Sequence, residues 1–179
     1  MKTYVALLRG INLGSTRKVA MADLRTWLGE LGYDAVRTHL QSGNAVFASD
    51  RKPAELEREI GKRLEEQLGF EVRCLVRDHA ELQRVVDADP FGDVAHNHSR
   101  YAVAFLSGPP GKSRLAKLAP DAFAPELFHL GKREIYLWYP DGIHKSKLNN
   151  ELTERNLGVV ATVRNWNTVR KLAELTEGR

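Results

Sequence analysis

An apolar segment near the start of the chain recurs in its second half. It reads Val5-Ala6-Leu7-Leu8-Arg9-Gly10 first and Val103-Ala104-Phe105-Leu106-Ser107-Gly108 on its return. Both copies are apolar at nearly every strand position and end at a glycine, which predicts a strand buried on both faces and followed by a turn. Further segments recur in the same order, so we infer an internal duplication.

The first copy alternates between strand and helix patterns. Strands are predicted at residues 4–9, 35–40, 45–49 and 70–77, and helices at residues 21–31, at residues 53–68 and after Asp78. Leu56, Ile60 and Leu64 are spaced by four and give the second helix one apolar face. Asp78 and Glu81 have the spacing of a capping box at the start of the third helix. The predicted order is therefore βαββαβα.

The second copy repeats this order after a polar linker at residues 90–99. Two further segments return: His39-Leu40 as His129-Leu130, and Val76-Arg77-Asp78 as Val163-Arg164-Asn165. Helices are expected to begin near Ser113 and His144. A βαββαβ unit of about 90 residues has the ferredoxin-like pattern, in which two helices cover one face of a four-stranded antiparallel sheet. The sequence thus predicts an α+β protein of two tandem ferredoxin-like βαββαβ(α) units packed together, at residues 1–90 and 100–179.

Composition indicates an ordinary globular chain. Of 179 residues, 42% are hydrophobic and 28% are charged, as in typical water-soluble domains. The apolar run at residues 4–8 is interrupted by Arg9, well short of the ~18 residues of a membrane helix. We therefore expect no signal peptide, no membrane partner and a cytoplasmic location. The single cysteine, Cys74, excludes an internal disulfide.

Two motifs that suggest a cofactor or a metal are set aside. His96 and His98, with Asp93 nearby, are interpreted as part of a polar linker rather than as metal ligands. The segment from Gly108 to Ser113 resembles a P-loop, but Leu106 stands where that motif needs its first glycine, and two prolines remove backbone N–H groups. The sequence predicts no metal and no cofactor.

The loop after the first strand supplies one part of a candidate anion site. Arg9, Asn12 and Lys18 lie just before the predicted helix at residue 21, where free N–H groups suit a phosphate or a carboxylate. Ser42 and Asn44 lie in the turn that joins the next two strands. The alternative interpretation is a solvated loop that needs its glycines for turns.

The start of the last helix supplies the other part. Arg164, Asn165 and Asn167 lie there, and their cationic and amide groups suit the same kind of ligand. In the alternative interpretation Asn165 only caps the helix and Trp166 packs in the core. The net charge of +4 falls entirely in residues 91–179 and weakly favours anionic partners.

These motifs resemble one bacterial family. The resemblance lies in residues 4–14, 21–24, 41–44 and 162–168, together with Lys171-Leu172, and it is to the family called domain of unknown function 1697. It implies a bacterial cytoplasmic α+β protein with ferredoxin-like halves, and it implies no reaction. Members often have glycine where Ser15 stands here, which weakens any need for glycine at that position.

The leading functional prediction is non-enzymatic binding of a small ligand that carries a phosphate or a carboxylate. No nucleophile with a base and no paired carboxylates have a catalytic spacing, so the chain is provisionally not regarded as an enzyme. Single-stranded nucleic-acid binding on the sheet face is one alternative, with Tyr4, Phe47, Tyr136 and Trp138 as the available aromatic residues. An enzyme that acts on a small phosphorylated substrate is the second alternative, and an interaction scaffold without a ligand is the third.

Overall fold

A computed structural model describes residues 1–178, which form two compact units. The first contains residues 1–85 and the chain from Lys171 onward, and the second contains residues 86–170. Within residues 1–178, none of the helices combines the length and the apolar character needed to cross a membrane. The predicted division of the chain into two sequence repeats, at residues 1–90 and 100–179, stays a prediction.

The first unit is built on a four-stranded antiparallel sheet in the order β2-β3-β1-β4. Its strands are β1 (Lys2–Leu8), β2 (Asp34–His39), β3 (Asn44–Ser49) and β4 (Cys74–Asp78). In the centre of the sheet, Val5 of β1 lies opposite Val46 on one side and Arg77 on the other. This strand order and the antiparallel pairing are those of a ferredoxin-like unit. The fourth strand begins at Cys74 rather than at residue 70.

Three helices follow the predicted pattern in the first copy, and the last of them crosses the unit boundary at residue 85. They are α1 (Met21–Glu30), α2 (Pro53–Leu68) and α3 (His79–Ala88). Leu56, Ile60 and Leu64 of α2 are buried in one core cluster with the residues of β1 that face the helices. The capping box at α3 is confirmed, because the backbone N–H of Asp78 donates to Glu81 Oε2 (3.0 Å) and that of Glu81 donates to Asp78 Oδ1 (2.9 Å).

The second unit keeps the sheet but not the helices. Its strands are β5 (Tyr101–Leu106), β6 (Leu127–Leu130), β7 (Glu134–Trp138) and β8 (Ala161–Asn165), in the order β6-β7-β5-β8. The helices expected near Ser113 and His144 are replaced by 3₁₀ turns, at Pro110–Lys112, Arg114–Lys117, Ile143–Lys145 and Leu148–Glu151, and by the single turn α4 (Glu154–Leu157). In the connection between β5 and β6, Pro120 lacks the backbone N–H that a helix continuing past Lys117 would use.

The last helix, α5 (Trp166–Thr176), has residues in both units. In the second unit the ring of Trp166 stacks on that of Tyr101, with centroids 4.3 Å apart and planes 11° from parallel. In the first unit Nδ1 of His79 lies 3.0 Å from the carbonyl oxygen of Ala173, and the guanidinium of Arg37 donates to the carbonyl of Leu175. The interpretation of Trp166 as a core residue is therefore confirmed.

The first strand of each unit is buried on both faces, as the apolar runs predict. In β1 the residues on the helix side, such as Ala6, and those on the opposite side, such as Val5 and Leu7, all have 0% exposure. In β5 Val103 and Ala104 are equally inaccessible.

A pair of glycine substitutions tests the backbone geometry at the end of α2. Gly69 follows this helix with a φ of +76°, and we expect Gly69→Ala to lower the free energy of unfolding by about 1 kcal/mol because L-residues are strained there. Gly29 lies exposed within α1, and a methyl group added to it would meet no other atom within 4 Å. Gly29→Ala should stabilise the protein by up to about 1 kcal/mol. Urea unfolding of both variants measures the difference, and equal effects would contradict the assigned geometry.

Candidate functional site

Asn12 organises the loop between β1 and α1. Its Nδ2 donates to the carbonyl oxygens of Val19 (3.0 Å) and Gln41 (2.7 Å), and its Oδ1 accepts from the backbone N–H of Val19 (2.8 Å). The residue has a φ of +53°, a conformation that asparagine tolerates better than most residues. One side chain thus joins both ends of the loop to the turn between β2 and β3.

Arg17 fixes the same loop from its other side. Its Nε donates to the carbonyl of Gly10 (2.9 Å) and its Nη2 to the carbonyl of Glu71 (2.6 Å). The guanidinium also lies 4.5 Å from the centroid of the Phe70 ring, a cation–π distance. Arg17 is therefore committed to the structure of the loop, a role that its sequence context did not indicate.

The turn between β2 and β3 packs closely against this loop. Gly43 has a φ of +89°, and a methyl group at this position would lie 2.7 Å from Cδ1 of Ile11. Asn44 is fully buried, and its Nδ2 donates to the carbonyl of His39 (2.7 Å) and to Ser42 Oγ (3.1 Å). Asn44 therefore supports the turn from within, whereas Ser42 is exposed at its surface.

A cavity of about 470 Å³ opens between the loop and the turn. It is lined by Asn12, Lys18, Val19, Ala20 and Gln41. Of the five site residues predicted in this unit, the cavity brings Asn12 and Lys18 together, while Arg9, Ser42 and Asn44 are not among its lining residues. Gln41 is the polar lining residue that the prediction omitted, although it belongs to the same turn motif.

The first turn of α1 adds polar groups next to this cavity. Ala20 is the N-cap, and no side chain caps the helix there. The first N–H groups of a helix have no partner within the helix and carry a partial positive charge. Asp23 is the acidic residue in this turn, and it is exposed.

The three residues predicted in the second unit have different surroundings. Arg164 is buried with 6% exposure, and its Nη1 donates to Thr162 Oγ1 (2.8 Å) and to the carbonyl of Val163 (2.9 Å). Arg77, its counterpart in the first copy, is also buried and donates to the carbonyl of Val76 (2.9 Å). A buried arginine shared by both copies is expected to serve the fold, because folding is what the copies have in common.

Asn165 and Asn167 lie at the start of α5. Oδ1 of Asn165 accepts from the backbone N–H of Thr168 (2.9 Å), which is the hydrogen bond of an N-cap. Asn167 is exposed and has no hydrogen-bond partner for its side chain among residues 1–178. The capping interpretation of Asn165 is therefore confirmed.

The four aromatic side chains considered for nucleic-acid stacking are buried. Of the four aromatic residues considered for base stacking, Tyr4, Phe47 and Tyr136 have at most 4% exposure and Trp138 has 8%. Base stacking needs accessible rings, so these four rings do not offer stacking surfaces in this structure, and single-stranded nucleic-acid binding stays an untested alternative. Among residues 1–178 no group of three or more His, Cys, Asp or Glu side chains is arranged to hold a metal ion.

Comparison with known proteins places the chain in a family. The profile of the family described as protein of unknown function (DUF1697) matches residues 1–136. The chain belongs to this family. The match includes the loop between β1 and α1 and the turn at Gln41, and it confirms the family resemblance drawn from the sequence motifs.

One solved structure extends the likeness over nearly all of the chain. It is that of the conserved bacterial protein SP0830 from Streptococcus pneumoniae, which is 22% identical, with a TM-score of 0.77 over 98% of each chain. At this identity the likeness shows a shared fold alone. The comparison with curated proteins gave no match.

Two neighbouring asparagines test whether the start of α5 has a capping role. Asn165→Ala removes the hydrogen bond to Thr168 and should lower the free energy of unfolding by about 1 kcal/mol. Asn167→Ala, the matched control, should leave it unchanged or slightly raised, because alanine is the better helix former. Denaturant unfolding of both variants measures the two effects. A larger loss for Asn167→Ala than for Asn165→Ala would contradict the assigned cap.

Proposed function

We propose that the first unit of this DUF1697 protein binds a small ligand through a phosphate or a carboxylate in the cavity beside Lys18. The observation that carries the proposal is a cavity of about 470 Å³ whose wall contains Lys18, Asn12 and Gln41. Ligand pockets of this size are common among proteins that bind small molecules. Binding without catalysis is the simplest function that these groups support.

The charge balance at this cavity favours an anion. Lys18 is exposed and forms no ion pair or hydrogen bond with any of residues 1–178. The side chain of Arg9, at the start of the same loop, is equally free of a carboxylate partner within the described chain. The uncapped first turn of α1 adds partial positive charge to that of Lys18. The carboxylate of Asp23 opposes this charge in part, so we expect the ammonium group of Lys18 to supply much of the attraction for an anion.

The rigidity of the loop supports the same proposal. The side chains of Asn12 and Arg17 together make five hydrogen bonds that hold the loop in place. A wall that is already ordered loses little conformational freedom when a ligand binds. Lys18, which comes directly after this fixed segment, is therefore presented to the ligand from a defined backbone position.

The remaining predictions about binding and location belong to the same proposal. Arg164, Asn165 and Asn167 stay predicted ligand residues, although Arg164 and Asn165 have the structural hydrogen bonds described above. An enzyme that acts on a small phosphorylated substrate would use the same anion-binding groups and stays the alternative. A cytoplasmic location is part of the proposal, supported by the single cysteine.

Substitution of Lys18 tests the proposed site. Isothermal titration with inorganic phosphate, pyrophosphate and citrate should show saturable binding of at least one of these anions by the unsubstituted protein. Lys18→Gln should weaken that binding about tenfold, because it removes a charge-assisted contact. Added salt should weaken binding by the unsubstituted protein and have less effect on the variant.

The matched control is Lys62→Gln on α2. Lys62 is exposed and pairs with Glu66 at 3.8 Å, and it does not line the cavity. This control should bind as the unsubstituted protein does, and both variants should unfold at the same temperature as that protein. Equal affinity of Lys18→Gln and Lys62→Gln, or no binding of any of the three anions, would refute the proposed function.

A further inference from the structure

A second and larger cavity lies within the second unit. It has a volume of about 610 Å³ and lies between the segment at residues 122–126, the segment at residues 141–147 and Arg100. In the first copy the corresponding connections contain the helices α1 and α2. The duplicated fold therefore does not require a cavity at this place. Its position is specific to the second copy.

Hydrogen bonds to Glu126 connect the two walls of this cavity. The carboxylate of Glu126 accepts from the hydroxyl of Ser146 and from the backbone N–H of Lys147 (3.1 Å to Oε1). The hydroxyl of Ser146 accepts in turn from the backbone N–H of Asn149 (2.9 Å). Nη1 of Arg100 donates to the carbonyl of Pro140 (2.6 Å). The cavity is thus formed by segments that are fixed to one another.

Three cations and one free carboxylate line this space. Lys145 and Lys147 are exposed, and their ammonium groups have no partner among residues 1–178. Arg100 is the third cation, and its charge is not paired with a carboxylate of the described chain. Asp141 also lines the cavity, and its carboxylate has no hydrogen-bond donor within residues 1–178. The carboxylate of Glu126, by contrast, is already engaged by Ser146 and Lys147.

The remaining wall is apolar. Phe123 is half-buried there, and Ala122, Ala124 and Pro125 complete the wall. A ligand that fits all of these groups has an anionic end for the cations, hydroxyl groups for Asp141 and a flat or apolar part for Phe123. Phosphate esters of sugars combine the first two features, and nucleotides add the third.

We infer that the second unit binds a phosphorylated sugar, as a free sugar phosphate or as part of a mononucleotide, in the cavity lined by Arg100, Asp141, Lys145 and Lys147. Lys145 and Lys147 contact the phosphate, and Asp141 accepts hydrogen bonds from the sugar hydroxyls. This site is independent of the one proposed in the first unit. It lies where the second copy has 3₁₀ turns and α4 in place of the helices α1 and α2.

Titration of three probes tests the inference. Ribose 5-phosphate, AMP and adenosine are titrated into the full chain carrying Lys18→Gln, so that the site proposed in the first unit is weakened and binding in the second unit is measured more directly. We expect ribose 5-phosphate or AMP to bind saturably and adenosine to bind at least about tenfold more weakly. Tighter binding of AMP than of ribose 5-phosphate would indicate that the adenine ring packs against the wall at Phe123.

Variants of the cavity complete the experiment. Lys145→Gln combined with Lys147→Gln should weaken binding of the phosphate probe by at least about tenfold, whereas Lys132→Gln, an exposed lysine outside the cavity, should not change it. Asp141→Asn should weaken binding of ribose 5-phosphate but not of inorganic phosphate. Thermal unfolding of each variant verifies the fold. The inference is overturned if neither phosphate probe binds, if adenosine binds as tightly as AMP, or if the double variant binds like Lys132→Gln.

Discussion

Each unit is organised around a first strand that is buried on both faces and paired along both edges. Val5 and Leu7 of β1 are inaccessible on one face and Ala6 on the other, while β3 and β4 pair with both edges. A shift of one residue would exchange the two faces of such a strand. The backbone N–H of Leu8 donates to the carbonyl of Gly43, and that of Arg9 to the carbonyl of Arg73 (2.9 Å each). These hydrogen bonds therefore hold the backbone where the loop between β1 and α1 begins.

The two copies use the same sheet to support different connections. In the first copy, α1 and α2 cover one face of the sheet, and a loop held by the side chain of Asn12 precedes α1. In the second copy, 3₁₀ turns and the four-residue helix α4 take their place. These shorter elements leave room for a cavity of about 610 Å³ between the connecting segments. The duplication thus preserves the strands, which carry the fold, and varies the connections, which carry the candidate sites.

The sequence predicted what depends on local pattern. The spacing of Leu56, Ile60 and Leu64 was enough for α2, and Asp78 with Glu81 was enough for the cap of α3. The prediction of helices in the second copy was wrong because it extended the similarity between the copies from the strands to their connections. Burial of Arg164 and the cavity at Lys145 were missed because both depend on residues far apart in the chain. No local motif joins Arg100, Phe123 and Lys145, which line one cavity only after folding.

The anion site proposed in the first unit lies at the start of α1, beside Lys18. Titration of the ¹⁵N-labelled protein with inorganic phosphate, followed through the backbone amide resonances, tests it at the level of single residues. We expect saturable shifts of the amides at residues 18–23, with the amides of β1 at residues 3–7 unchanged. Absence of shifts at residues 18–23, while other parts of the chain respond, would contradict it.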